Sequence, residues 1–131
     1  MKFWSGVITD KVQASKEFYV RLFDCVVLYE GDDGWFVLLR LGDSELGFMK
    51  PGLASQAEIF RRPFTGQGMW VAVDVDDVDR EYARIQALGV EIVVALRDEP
   101  WGDRHFVIAD PNGIGVDVVQ HGHPGAEAGA A

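Results

Sequence analysis

The sequence predicts an α+β fold of two tandem βαβββ modules, a curved, cup-shaped mixed sheet with helices outside. Three observations predict it. Strand-like alternation gives way to helical spacing twice along the chain, and each helical stretch is followed by three short apolar runs divided by turn residues. The two halves hold a fixed register when one is laid on the other. The last patterned stretch, ADPNGIGVDVVQ at 109–120, is a Pro-Asn-Gly turn emptying into a β-branched strand.

Each element follows from local pattern. Residues 3–9 alternate and end at Asp10, which predicts a short strand and a turn. Residues 13–24 predict a helix with Ala14, Phe18, Tyr19, Leu22 and Phe23 on its apolar side and Lys16, Glu17 and Arg21 opposite. Residues 26–30 read as a strand, 31–34 as a hairpin turn, and 35–41 as the partner strand. After Gly42, Asp43 and Ser44, residues 45–50 form a further strand.

The stretch 51–68, punctuated by Pro51, Gly52, Pro63, Gly66 and Gly68, reads as the linker between modules at about 3–50 and 69–120. Residues 69–75 predict a strand. Asp76 or Asp77 then caps a helix over 78–88, with Val78, Tyr82, Ile85 and Leu88 apolar and Gly89 as its stop. Strands are expected at 90–96 and 104–108, separated by a polar loop over 97–103, and the closing strand completes the set. The tail, 121–131, including His121 and His123, reads as flexible, so the domain is expected to span 1–120.

An offset of 66 brings Trp4 onto Trp70, Val7 onto Val73, Asp10 onto Asp76, Val12 onto Val78, Leu22 onto Leu88 and Val27 onto Val93. An offset of 70 then brings Phe36 onto Phe106, Leu38 onto Ile108 and Gly47 onto Asp117. That pattern points to duplication.

A net charge of −9, with no Lys or Arg cluster to offset it, disfavours nucleic acid and anionic membranes as partners. The single cysteine, Cys25, cannot form an internal disulfide and reads as a buried small hydrophobe. No apolar run approaches a membrane span and the N-terminus lacks a signal-peptide core, so the cytoplasm is the expected location.

Period-2 alternation sorts the strand residues by face. Ser5, Val7 and Thr9, with Val71, Val73 and Val75, should face the helices; Trp4, Gly6 and Ile8, with Trp70, Ala72 and Asp74, should line the far face. Glu45, Gly47 and Met49 join that face, as do Gly115, Asp117 and Val119. Tryptophan alternating with glycine suits a concave lining better than an outer surface. Two plainer readings stand beside it: the two indoles plug the interior, and Asp117 serves an ion pair with Arg104 or another cation.

The paired modules, the SKEFYVRLF helix, the DVDDVDREYARIQALGV segment and the DPNG turn resemble the vicinal oxygen chelate superfamily. That group includes glyoxalase I, extradiol dioxygenases, fosfomycin-resistance enzymes and bleomycin-resistance proteins, and the resemblance covers residues 3–120. It implies metal ligands on the inner faces of strands one, four, five and eight. The matching places here are Trp4, Gly47, Trp70 and Asp117, of which only Asp117 could ligate.

No metal and no other cofactor is therefore expected. The resemblance points instead to the metal-free bleomycin-resistance-like members, which form intertwined dimers around a bulky cationic aromatic drug. The expected function is binding and sequestering a small aromatic, cationic molecule, antibiotic or metabolite, as a homodimer and without catalysis. The expected ligand-binding residues are Trp4, Glu45, Gly47, Met49, Trp70, Asp74, Trp101, Arg104, His105 and Asp117. The alternatives are a metal-dependent lyase, isomerase or dioxygenase using Asp117 and His105, and an interaction module whose cup is filled by its own tryptophans.

Overall fold

A computed structural model describes residues 1–122. The chain divides into two compact units, Met1–Gln67 and a second beginning at Gly68. Each is a βαβββ module, as the sequence predicts. Of the expected flexible tail, His123 onward lies outside the described residues.

The first unit runs β1 (Ser5–Ile8), α1 (Val12–Phe23), β2 (Val26–Glu30), β3 (Phe36–Leu41) and β4 (Ser44–Met49). Its sheet has the order β1-β4-β3-β2, with β1 parallel to β4 and the other pairs antiparallel. The helix buries Val12, Ser15, Tyr19 and Leu22. That face is rotated from the one expected: Ala14 is exposed and Phe18 half-buried. Ser15 is tolerated inside because its hydroxyl donates to the Lys11 carbonyl at 2.6 Å. Tyr19 stacks on Phe48 with centroids 5.5 Å apart, and Val7, Val37 and Leu39 complete the layer.

Asp24 ends α1 in the left-handed conformation (φ 54°), and Cys25 behind it is buried as expected. The predicted hairpin turn is one turn of 3-10 helix over Asp32–Gly34, with Asp33 and Gly34 at φ 59° and 66°. The expected linker largely belongs to this unit. Gln56 Nε2 donates to the Lys50 carbonyl, Arg61 Nε donates to the Gln56 carbonyl, and the Phe64 N–H donates to the Ile8 carbonyl on β1.

The second unit runs β5 (Trp70–Asp74), α2 (Val78–Ala87), β6 (Val94–Asp98), β7 (Arg104–Ala109) and β8 (Gly115–Gln120), in the sheet order β5-β8-β7-β6. Asp77 is the cap of α2, accepting the Arg80 N–H at 3.1 Å. The helix buries Val78 and Ile85, and Tyr82 meets Phe106 edge to face at 5.0 Å. Gly89, at φ 78°, follows the helix end, as expected of a stop residue.

The strand expected at 90–96 begins only at Val94 and runs on to Asp98, so Arg97 pairs with His105 instead of lying in a loop. A register shift between Val94 and Arg97 breaks simple alternation within the strand, so its run past residue 96 carries no period-2 signal. The DPNG turn forms as predicted, with Asp110 Oδ1 accepting the N–H groups of Asn112 (2.8 Å) and Ile114 (3.0 Å). Val116 and Val118 are fully buried and Asp117 lies on the other face.

The ladders test the duplication residue by residue. Gly6 pairs with Gly47 in one unit and Ala72 with Asp117 in the other, as the offsets require. Leu38 pairs with Gly47, however, and Val107, not Ile108, pairs with Asp117. The equivalent of Phe36 is therefore His105, and the alignment onto Phe106 is one residue out. The extra residues sit on both sides of β7: Leu38 opposite Gly47 becomes Val107 opposite Asp117, which puts one extra residue after β7 and the others before it.

Candidate functional site

In each unit the sheet face away from the helix carries the residues of interest. In the first, Gly47 is buried beneath two aromatic rings. A methyl group on its α-carbon would lie 3.3 Å from Phe36 Cε2 and 3.4 Å from Trp4 Cζ3, so these rings roof the strand where glycine leaves space. Phe36 also packs against Trp35 (5.2 Å between centroids) and Tyr29 (5.9 Å). Met49 flanks the group, paired in register with Ile8 and Phe36. Trp4 remains 54% exposed. Glu45, one strand position pair from Gly47, is ion-paired with Lys2.

In the second unit the equivalent places are charged. His105 Nδ1 lies 2.6 Å from Asp117 Oδ1, and Nε2 lies 2.7 Å from Glu99 Oε2. The imidazole is only 12% exposed. Ionised carboxylates accept and cannot donate, so both bonds are made together only by the imidazolium. Burial opposes that charge, but hydrogen bonds to Asp117 and Glu99 outweigh it and raise the His105 pKa above 6.5. Glu99 is held below the usual carboxylate range, chiefly by the bond from His105 and against its own desolvation, with help from Arg97, whose Nε donates at 3.0 Å.

A second histidine is bracketed in the same way. His121 Nε2 lies 2.9 Å from Asp74 Oδ1 and Nδ1 lies 3.0 Å from Asp103 Oδ1, while Trp101 Nε1 donates to Asp103 Oδ2 at 3.0 Å. The bonds to Asp103 and Asp74 raise its pKa against a smaller cost of burial.

The predicted residues thus separate. Trp4, Gly47 and Met49 share the far face in the first unit, with Glu45 beside them; His105 and Asp117 are joined in the second, and Asp74 and Trp101 are linked through His121 and Asp103. Trp70 stands 73% exposed, in register with Gly115. Arg104 goes elsewhere: it alternates with His105 on β7 and grips Asp79 of α2 with Nε (3.1 Å) and Nη2 (3.0 Å), with Asp98 at 3.3 Å. Of the cations open to Asp117 it is His105, not Arg104, that pairs with it, and Asp79 does more than open a helix.

Sequence reading missed Glu99, Asp103, His121 and Phe36. The acidic loop EPWGD beside a histidine was the available signal for Glu99 and Asp103. His121 was assigned to a flexible tail, whereas it is held at the end of β8.

The places that the resemblance associates with metal ligands hold two indoles, a glycine and Asp117. Only the carboxylate is a donor, and its Oδ1 is engaged by His105. Glu99 and Asp117 sit at opposite nitrogens of the imidazole instead of converging on one point. Among the described residues, no group of three His, Cys, Asp or Glu side chains could hold a metal ion. These residues do not fit a protein-held divalent ion.

The model of the Glyoxalase/Bleomycin resistance protein/Dioxygenase superfamily matches residues 4–118. An uncharacterized protein of Mycobacterium bovis is 30% identical over 113 residues, covering 82% of this chain and 74% of that protein. An uncharacterized protein of Mycobacterium tuberculosis has the same identity, and the chain spans 66% of its length.

Among solved structures, lactoylglutathione lyase from Agrobacterium tumefaciens has a TM-score of 0.75 and 25% identity over 91% of this chain and 92% of its own. The antibiotic binding protein TnmS3 from Streptomyces sp. CB03234 shares the fold at a TM-score of 0.70, with 23% identity over 92% and 96%. The chain belongs to the glyoxalase/bleomycin resistance protein/dioxygenase superfamily. None of the helices in the described residues is long and apolar enough to cross a membrane.

Proposed function

We propose that this protein binds and sequesters a small, flat, aromatic cation, and that it does so as a homodimer without a protein-held metal. The observation that carries the reading is the substitution at the family's ligand positions. Two exposed indoles and an aromatic-roofed glycine stand where ion-grasping side chains would be, and they offer stacking surface in place of coordination. Trp4, Gly47 and Met49 supply that surface in the first module, and Trp70 and Trp101 supply it in the second. Glu45, Asp74, His105 and Asp117 set the charge beside it. Antibiotic binding by a protein of the same fold is in keeping with this role.

Each carboxylate in the set already has a cationic partner: Lys2 for Glu45, His121 for Asp74 and His105 for Asp117. A cationic guest therefore meets more uncompensated negative charge as the two histidines lose their protons, and its affinity should rise with pH. The test is titration with cationic aromatic compounds followed by tryptophan fluorescence. Trp4→Ala or Trp70→Ala should weaken binding by about 1–2 kcal/mol, the scale of a lost stacking or cation–π partner. Unchanged affinity in both variants removes the proposal.

The likeness to lactoylglutathione lyase favours a second reading, a metal-dependent lyase, isomerase or dioxygenase. Elemental analysis of dialysed protein separates the two: a stoichiometric transition metal would favour the enzyme.

A further inference from the structure

The loop over 99–103, between β6 and β7, closes on itself: Glu99 N–H donates to the Asp103 carbonyl at 2.8 Å and Gly102 N–H donates to the Glu99 carbonyl at 3.0 Å. Two contacts bring it to the end of β8, and a third, inside the loop, carries the first of them to Trp101. His121 Nδ1 reaches Asp103, the Trp101 indole is tied to the same carboxylate, and Gly122 approaches the Gly102 backbone so closely that a Cβ there would lie 2.2 Å from the Gly102 carbonyl oxygen. The other nitrogen of His121 is spent on Asp74, the last residue of β5. One side chain thus joins a strand end to a loop, and two of the residues it organises, Asp74 and Trp101, are assigned above to ligand binding.

We infer that His121 is a positioning residue and a pH-sensitive latch, which in its protonated form ties Asp103 to Asp74 and thereby fixes the Trp101 indole. Its importance for ligand recognition rests on the binding function proposed above; the latch itself does not. Two acceptor carboxylates at opposite ring nitrogens need two N–H donors, and only the imidazolium has them. On deprotonation one bond must be given up, and the loop loses either its link to β5 or the partner that orients Asp103.

Among the described residues, two carboxylates pair with the ring. Asp74 faces it from β5 and Asp103 faces it from the loop. Within the same loop Glu99 is engaged by His105 and Arg97, and Arg104, next to Asp103, is engaged by Asp79 and Asp98. At the neighbouring Gln120 the contact with α2 is neutral, the Val78 N–H donating to the Gln120 side-chain oxygen at 3.0 Å. The raised His121 pKa agrees with this arrangement.

The test is an NMR pH titration of the full chain without ligand, following the His121 ring and the Trp101 indole N–H. The two signals should share one titration midpoint above 6.5. Exchange of the Gly102 amide should quicken by about tenfold beyond the intrinsic rate as pH passes that midpoint, the scale of one lost hydrogen bond. His121→Gln should abolish the Trp101 step, while His105→Gln should leave it in place. A Trp101 indole that does not titrate, or that titrates unchanged in His121→Gln, overturns the latch; the wild-type titration decides even if the variant fails to fold. Binding of ethidium, a flat aromatic cation, is measured in parallel. A titrating latch with no ethidium response at any pH counts against the binding function, and a missing titration counts against the latch.

Discussion

His105 Nδ1 and Asp117 Oδ1, 2.6 Å apart on adjacent strands, occupy in the second module the places that Phe36 and Gly47 occupy in the first. One duplicated scaffold thus carries an aromatic roof in one copy and an ion pair in the other. Gly47 leaves room for a ring, whereas Asp117 requires a cation.

The histidine pair makes stability depend on pH. His105 has a folded pKa raised above the unfolded 6.5, so the native state binds the extra proton. Its contribution is full below the unfolded value and is lost as pH rises through the folded one. Urea midpoints from pH 6 to 9 should therefore fall more steeply in the wild type than in His105→Asn. At the acid end the depressed pKa of Glu99 acts in the opposite sense: its contribution is present above 4.5 and lost as pH falls through the folded value.

Gly47→Ala should be mildly destabilising. The new methyl would meet Phe36 at 3.3–3.4 Å and Trp4 at 3.4 Å, so both rings must give by a few tenths of an ångström. Gly47→Leu overfills the space and should cost about 1–3 kcal/mol in chemical denaturation. The same variant should change the emission of Trp4, which the added side chain would meet; Trp4→Phe identifies the signal.

Asp110→Ala should cost about 1–3 kcal/mol, because it strands the buried Ile114 N–H that Asp110 Oδ1 accepts and also removes the Asn112 bond. Asp110→Asn keeps an acceptor oxygen and should cost less. Denaturant unfolding of the pair measures the difference.

Cys25 should resist alkylation. Burial, with a smaller push from Asp24, raises its thiol pKa to about 11, so almost no thiolate exists at pH 8. Iodoacetamide should label the native protein far more slowly than the urea-unfolded chain, as read by mass spectrometry. Equal rates would mean that the α1–β2 junction opens readily.

Element types were legible because period and punctuation are local. Residues 78–88 carry helical spacing between an aspartate cap and a glycine, and α2 forms there; Val116 and Val118 alternate with Asp117, and β8 buries the first two. The shared face of Trp4, Gly47 and Met49 was legible for the same reason. The equivalence of Phe36 with His105 was not, because it depends on how extra residues divide between two loops, and a slip of one residue moves every side chain to the other face.

By itself, then, the sequence determined the two βαβββ modules, the faces of most strands and the absence of ion-grasping side chains at three family positions, since alternation and residue chemistry are written in the chain. Tertiary structure alone decided who pairs with whom: Arg104 with Asp79, 25 residues away, His121 with Asp74, 47 away, and His105 between Glu99 and Asp117. Those choices follow from strand register and loop path, which place a charge beside its partner only once the strands have paired.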